Sequence, residues 1–150
     1  MRVGIGEFDR VLGGGLVPGS VTLVGGEPGI GKSTLLLSVS GALAAAGSTV
    51  LYVSGEESLR QTKLRATRLG LSSSTVQLIA HTRLEVIAEA IRQLKPAIVI
   101  VDSVQVLETE TLQSAPGSIG QVRTCAHELV RLVKASQTAL FLVGHVTKDG

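Results

Sequence analysis

The sequence predicts a three-layer α/β domain, a mainly parallel central sheet with helices on both faces. Two observations carry that prediction. Short runs rich in Val, Ile, Leu and Thr recur five times along the 150 residues, and each is nearly continuously apolar rather than alternating. That is the pattern of strands buried on both faces. Longer segments with helical spacing lie between them, giving the order β-α-β-α-β-α-β-α-β expected of a parallel sheet.

The first strand is read at 20–25, "SVTLVG", and a helix follows over 33–46. The second strand, "STVLYVS" at 48–54, leads to a helix over 57–69. The third, "TVQLIA" at 75–80, leads to a helix over 84–94. "LKP" at 94–96 stops that helix, because the residue before a proline is pushed out of the helical region, and feeds the fourth strand, "PAIVIVD" at 96–102. The clearest helix is 120–136: Val122, Ala126, Leu129, Val130 and Val133 recur at helical steps, with Arg123, Glu128, Arg131 and Lys134 elsewhere. The fifth strand is "TALFLVG" at 138–144. The stretch 103–119, "SVQVLETETLQSAPGSI", reads as one long irregular connection, a length that in a compact domain signals function or mobility. The sequence runs out directly after the fifth strand, which predicts a core excised from a longer protein.

Composition narrows the class. With 44% hydrophobic and 17% charged residues the chain is globular rather than disordered, and with 2% aromatics its core must be built from Val, Leu, Ile and Ala. A net charge of +2 argues neither for nor against a nucleic-acid partner. The single cysteine, Cys125, excludes an internal disulfide framework and a cysteine-rich metal site, and suits a reducing compartment. The N-terminal "MRVGIGEFDR" has no apolar signal-peptide core, and "AIVIV" at 97–101 is far too short to span a bilayer. These features predict a soluble, cytoplasmic protein.

The motif with the most chemistry has few reactive side chains. Gly26-Glu27-Pro28-Gly29-Ile30-Gly31-Lys32-Ser33, followed by Thr34, fits G-x-x-x-x-G-K-[ST] between a strand and a helix. Glycines let the backbone close into a nest of inward N–H groups, and the helix N-terminus adds to an anion site. Lys32 then reaches the β- and γ-phosphates and the Ser33 hydroxyl binds Mg²⁺, so the loop is a P-loop for a nucleoside triphosphate such as ATP.

A P-loop hydrolyses ATP only with a further acid near the metal and a group that activates water. Asp102 ends the fourth strand at the sheet edge where ligands bind, as a Walker B acid that holds Mg²⁺ through water; the alternative is an aspartate capping a loop. Glu56 and Glu57 follow the second strand, and one of them, Glu56 in preference, is placed to act on the attacking water. The alternative is that Glu57, with Ser58, serves a helix N-terminus, where acids favour the macrodipole. His145 ends the last strand, as a γ-phosphate sensor or as a structural histidine. Lys148, close after Thr147, is either solvated or directed at a neighbouring subunit's phosphate.

Together these residues resemble the RecA-type P-loop NTPases, and more narrowly the bacterial RadA (Sms) family of DNA recombination and repair ATPases. The matching stretches are "GIGEFDRVLGGGLVPGSVTLVGGEPGIGKSTLLL", "YVSGEES", "KLRATRLGL", "PAIVIVDSVQVL", "APGSIGQVRTCAHELVRLVK" and "FLVGHVTKDG", nearly the whole chain. The first alone also suits KaiC-like ATPases; the later ones favour RadA. The resemblance implies Mg²⁺ and ATP as cofactors, Lys32 and Ser33 as phosphate and metal groups, Asp102 as Walker B acid, Glu56 as water-activating acid and His145 as sensor. It implies a homo-oligomer, a hexameric ring, and a partner in single-stranded or branched DNA. RadA proteins also carry a four-cysteine zinc finger, a K-N-R-F-G motif and a Lon-protease-like domain, none of which is in this sequence, so turnover by this chain stays open.

The DNA question divides on the residues. The resemblance places a DNA-contacting loop after Asp102, and Gln105, Gln113, Ser114, Ser118 and Arg123 offer hydrogen bonds to phosphates. Yet 103–119 contains no Lys or Arg and does contain Glu108 and Glu110. Arg60, Lys63, Arg65 and Arg68 share one helix and either track a phosphate backbone or form a solvated face. The expected function is a DNA-coupled ATPase core. The alternatives are a KaiC-like signalling ATPase without DNA, or a nucleotide-binding fragment without turnover.

Overall fold

The computed structural model describes residues 6–11, 13–27, 29–71 and 76–145. Pro28, Thr147 and Lys148 lie outside the described residues. The chain runs α1 (Gly6–Val11), β1 (Val21–Gly26), α2 (Lys32–Ala45), β2 (Val50–Ser54), α3 (Leu59–Arg68), β3 (Val76–Ala80), α4 (Leu84–Leu94), β4 (Ile98–Asp102), a 3-10 turn (Val104–Val106), α5 (Ile119–Ser136) and β5 (Ala139–His145). The five strands and four helices read from the sequence are all present, with ends within two residues. The short α1 was not read, because six residues show too little periodicity.

All strand pairs are parallel, in the order β1-β5-β4-β2-β3. From β1 to β3 the chain steps one way across the sheet, and from β3 to β5 it steps back. Right-handed crossovers therefore put α2 and α3 on one face and α4 and α5 on the other. Alternate strand residues fill the two resulting cores. Val50, Tyr52, Ile98, Ile100 and Phe141 pack with Leu36, Leu37 and Leu43 of α2. Leu51, Val53, Val99, Val101 and Leu140 pack with Ile87 and Ile91 of α4 and Leu129 and Val133 of α5. Each such buried side chain contributes about 1.5–3 kcal/mol. Among the described residues no helix is long and apolar enough to cross a membrane.

The expectation that every strand is buried on both faces needs correcting. It holds for β2, β4 and β5. It fails for β1, an edge strand whose Leu23 is 69% exposed while Val24 packs on the α2 core. It fails also for β3, the opposite edge, where only Val76 is buried. An apolar run reports the preference of its side chains, not how many neighbours the topology gives the strand.

The 103–119 connection is not one irregular loop. After the 3-10 turn, Leu107 is fully buried, and Glu108 forms a parallel bridge with Arg83. Glu110 accepts from Arg83 at 2.8 Å, and its N–H donates to Glu85 Oε1 at 2.8 Å. Gln121 in the first turn of α5 is buried: its Oε1 accepts from Thr109 N–H at 2.9 Å, and its Nε2 donates to the Ser114 carbonyl at 2.9 Å. This amide ties the connection to α5, and Ser118 caps the same helix by accepting from Gln121 N–H.

Gln121→Ala strands the Thr109 N–H and should lower stability by about 1–3 kcal/mol, read as a lower urea midpoint, with faster proteolysis at 109–114. Cys125 has no exposed surface; burial, reinforced by the carboxylates of Glu85 and Glu108, pushes its thiol from an ordinary 9.0 up to about 11. Its contribution to stability is therefore complete below pH 9.0 and declines as pH rises toward 11, because the unfolded chain ionises first. Alkylation by iodoacetamide at neutral pH should run at least about a hundredfold slower in the folded chain than in urea.

Candidate nucleotide and cation site

The carboxyl ends of β1, β2, β4 and β5 meet at one edge of the sheet. Gly26 ends β1, and Lys32 is already the first residue of α2. The chain turns between them on Gly29 and Gly31, with φ of 86° and 98°, values that disfavour any residue with a side chain. A Cβ on Gly26 would sit 2.5 Å from Cδ1 of the exposed Ile30, a side-chain end that would have to turn aside. Lys32 is buried, and its ammonium donates to the carbonyls of Gly26 at 2.6 Å and Glu27 at 2.8 Å. The lysine thus folds back over its own loop.

Asp102 ends β4 and is 5% exposed. Its Oδ2 accepts from the Ser33 hydroxyl and, at 2.9 Å, from the Tyr52 hydroxyl. Its Oδ1 is buried with no partner among the described residues. A carboxylate left half-satisfied in the interior, with the P-loop serine on its other oxygen, fits a hard divalent cation or its water, since such cations take oxygen donors. Burial and the charge of Asp102 push the Tyr52 phenol far above its ordinary range, so it stays a neutral donor.

The two glutamates separate cleanly. Glu56 Oε1 accepts from Ser103 Oγ at 2.9 Å and lies 2.8 Å from His145 Nε2. Ligand atoms of Glu56, Asp102 and His145 all lie within 4.8 Å of one another. Glu57 turns the other way and pairs with Arg65 of α3 at 2.8 Å. Helix α3 itself is capped by Ser58, in a capping box with Gln61, so of Glu57 and Ser58, the two residues the sequence offers for the helix start, Ser58 makes the cap. The His145 carbonyl accepts from Gln105 Nε2 at 3.0 Å, linking the end of β5 to the connection after β4.

Between these groups lies a cleft of about 490 Å³, walled by Gly29, Gly31, Lys32, Ser33 and Thr34 on one side and by Glu56, Glu57, Arg65 and His145 on the other. A larger groove of about 850 Å³ between α4 and α5 holds none of these groups; Arg92 pairs there with Glu89 and Arg131 with Glu128, and Glu85 accepts from Thr109 and from the Glu110 N–H.

Sequence reasoning missed four residues here. Ser103 could have been found, because it directly follows Asp102. Tyr52 lies two residues before the strand end, where an aromatic reads as core. Arg65 was seen only as part of a basic helix face, and nothing in its spacing points to the cleft. Gln105 was seen only as a possible DNA contact. Ile30 is exposed at the loop tip.

A glycine-built anion loop opening a helix, a serine on a strand-end aspartate, and a five-stranded parallel sheet define a RecA-like P-loop NTPase fold. The chain belongs to the family described as AAA domain, whose profile matches residues 7–150. It is 51% identical over 150 residues to the DNA repair protein RadA of Bacillus subtilis (strain 168), covering 100% of this chain and 33% of that protein. It is 55% identical over 147 residues to that of Haemophilus influenzae, covering 98% and 32%. It is 51% identical over 144 residues to that of Streptococcus pneumoniae, covering 96% and 34%. The chain thus spans about a third of the length of the curated relatives it matches.

Proposed function

We propose that this chain is the ATPase core of a DNA recombination and repair protein, binding Mg-ATP and hydrolysing it in step with single-stranded or branched DNA. The observation that carries the chemical half is the cleft itself: Lys32 and Ser33 face Glu56 and His145 across it, with Asp102 behind Ser33. The DNA half is supported by relatives 51–55% identical that are named DNA repair proteins.

In this reading the backbone N–H groups of Glu27, Gly29, Ile30, Gly31, Lys32, Ser33 and Thr34 cradle the phosphates. Lys32 exchanges its two carbonyl partners for phosphate oxygens. Ser33 and Asp102, the latter through water, hold Mg²⁺, which supplies neutralising charge at the phosphates. Glu56 orients the attacking water and takes its proton, held for that task by Ser103 and His145. Glu57, engaged by Arg65, is the weaker candidate for that role. Loss of the γ-phosphate changes what His145 touches, and the Gln105 bond carries that change into the connection after β4.

The surface assigned to DNA is the exposed stretch 113–120 with Arg123, where Ile119 is 75% exposed. In the acidic part of the connection the Glu110 carboxylate is engaged by Arg83 and the Glu108 backbone is held in the bridge to that residue, so neither is assigned to DNA. By resemblance the chain would work as a ring of such subunits, a hexamer.

The test is ATP turnover with and without single-stranded DNA. Turnover should rise with DNA and be lost in Lys32→Ala. Glu56→Gln should reduce it by about a hundredfold or more while leaving nucleotide binding intact. Undiminished turnover in Lys32→Ala overturns the site. ATP binding without DNA stimulation overturns the assignment of DNA contact to this chain.

A further inference from the structure

Tyr52 is the chain's single tyrosine, and it stands where an apolar ring would serve the packing equally well. Its neighbour in the same core, Phe141 on β5, is fully buried without a hydroxyl. In the register of β2 on β4, Tyr52 lies opposite Ile100 and Ser54 opposite Asp102. Tyr52 and Asp102 are therefore diagonal neighbours on one face, a separation that a long aromatic side chain spans. The phenol crosses that diagonal and donates to Asp102 Oδ2 at 2.9 Å in a buried setting.

The consequence lies on the other oxygen. With Oδ2 held by Tyr52 and Ser33, Asp102 cannot turn about its Cβ–Cγ bond without losing two hydrogen bonds in the interior, and Oδ1 is left buried with no partner among the described residues. Ser33 is itself a group for the cation in the reading above, so its hydroxyl serves two partners. Among the described residues the Tyr52 hydroxyl has no other partner, and the residue is 2% exposed.

We propose that Tyr52 is a positioning residue of the cation site: its hydroxyl fixes the Asp102 carboxylate so that Oδ1 remains available to the divalent cation or its water, whatever Ser33 is bound to. The proposal rests on the reading of Ser33 and Asp102 as cation groups. It goes beyond that reading in assigning part of the cation affinity to a hydroxyl that touches neither cation nor nucleotide.

Tyr52→Phe keeps the ring and removes the donor. The measurement is binding of a fluorescent ADP analogue to the full chain across a magnesium titration, for the natural sequence, Tyr52→Phe, Asp102→Asn and the double variant. Tyr52→Phe should raise the magnesium needed for half-saturation by about tenfold, the effect of losing one hydrogen bond to a buried charged group. Analogue affinity in EDTA should stay unchanged, which a general loss of structure would not allow. In the Asp102→Asn background, Tyr52→Phe should change the magnesium requirement by less than about twofold, because the partner through which it acts is gone. A magnesium requirement unchanged by Tyr52→Phe overturns the proposal, as does an equal loss of affinity in EDTA, or an effect that persists in the Asp102→Asn background. Binding by the natural sequence that ignores magnesium overturns the cation reading itself, and this inference with it.

Discussion

Asp102 ends a strand with β2 on one side and β5 on the other, and water reaches almost none of it. Taking a carboxylate out of water is costly, and neutral hydroxyl donors return only part of that cost. The fold meets this constraint by bringing donors from separate elements to one oxygen: Ser33 from the first turn of α2, and Tyr52 from the middle of β2. Neither arrives alone. Ser33 is placed by the turn of the P-loop at Gly31, and Tyr52 by the register of two parallel strands. The site is therefore not laid over a finished core. The residues that complete the α2 face of the core at its carboxyl end are the residues that hold Asp102.

That placement follows from the order of the strands. The connection from β2 runs outward to the edge strand β3, and the connection from β4 runs back toward β5, so the backbone diverges between the carboxyl ends of two adjacent strands. A crevice opens where neighbouring connections part, and ligands of open α/β sheets bind there. Glu56 follows β2 on one side of the parting, and Ser103 and Gln105 follow β4 on the other. Ser103 reaches across it to Glu56, while Gln105 turns instead to the end of β5.

How legible this was depended on whether the information was local. The P-loop is a contiguous motif whose glycines, lysine and serine each answer a local demand of the backbone or of an anion, so it reads directly. The place of Asp102 at a strand end reads because it closes a continuous apolar run. The exposure of Leu23 did not read, because it depends on β1 lying at an edge, which no residue in β1 encodes. Gln121 did not read, because a glutamine in the first turn of a helix looks solvated until the connection folds over it. Tyr52 did not read as a polar contact, because its partner lies 50 positions away in sequence. In each case what was missed is a pairing between distant segments, and pairings follow from topology rather than from composition.

The adjacent pair Glu56 and Glu57 shows the same division at its sharpest. Chemically the two are identical, and the sequence offers one reason for each, water activation or support of a helix start. The fold separates them by partner. Glu57 meets a guanidinium from α3, an ion pair with both side chains partly solvated, the kind that contributes about 0–1 kcal/mol. Glu56 meets a buried hydroxyl from the residue after Asp102 and the imidazole that ends β5, so three strand ends converge on one oxygen. An acid held from two directions has its position set by the sheet rather than by its own rotamer. The same histidine holds Gln105 through its carbonyl, and the connection that Gln105 begins is fastened at Thr109 and Ser114 to Gln121 of α5. Glu56 is thus the point at which the cleft is joined to the ordered stretch that leads to the exposed residues 113–120. A displacement at Glu56 meets a continuous, hydrogen-bonded structure rather than a slack loop.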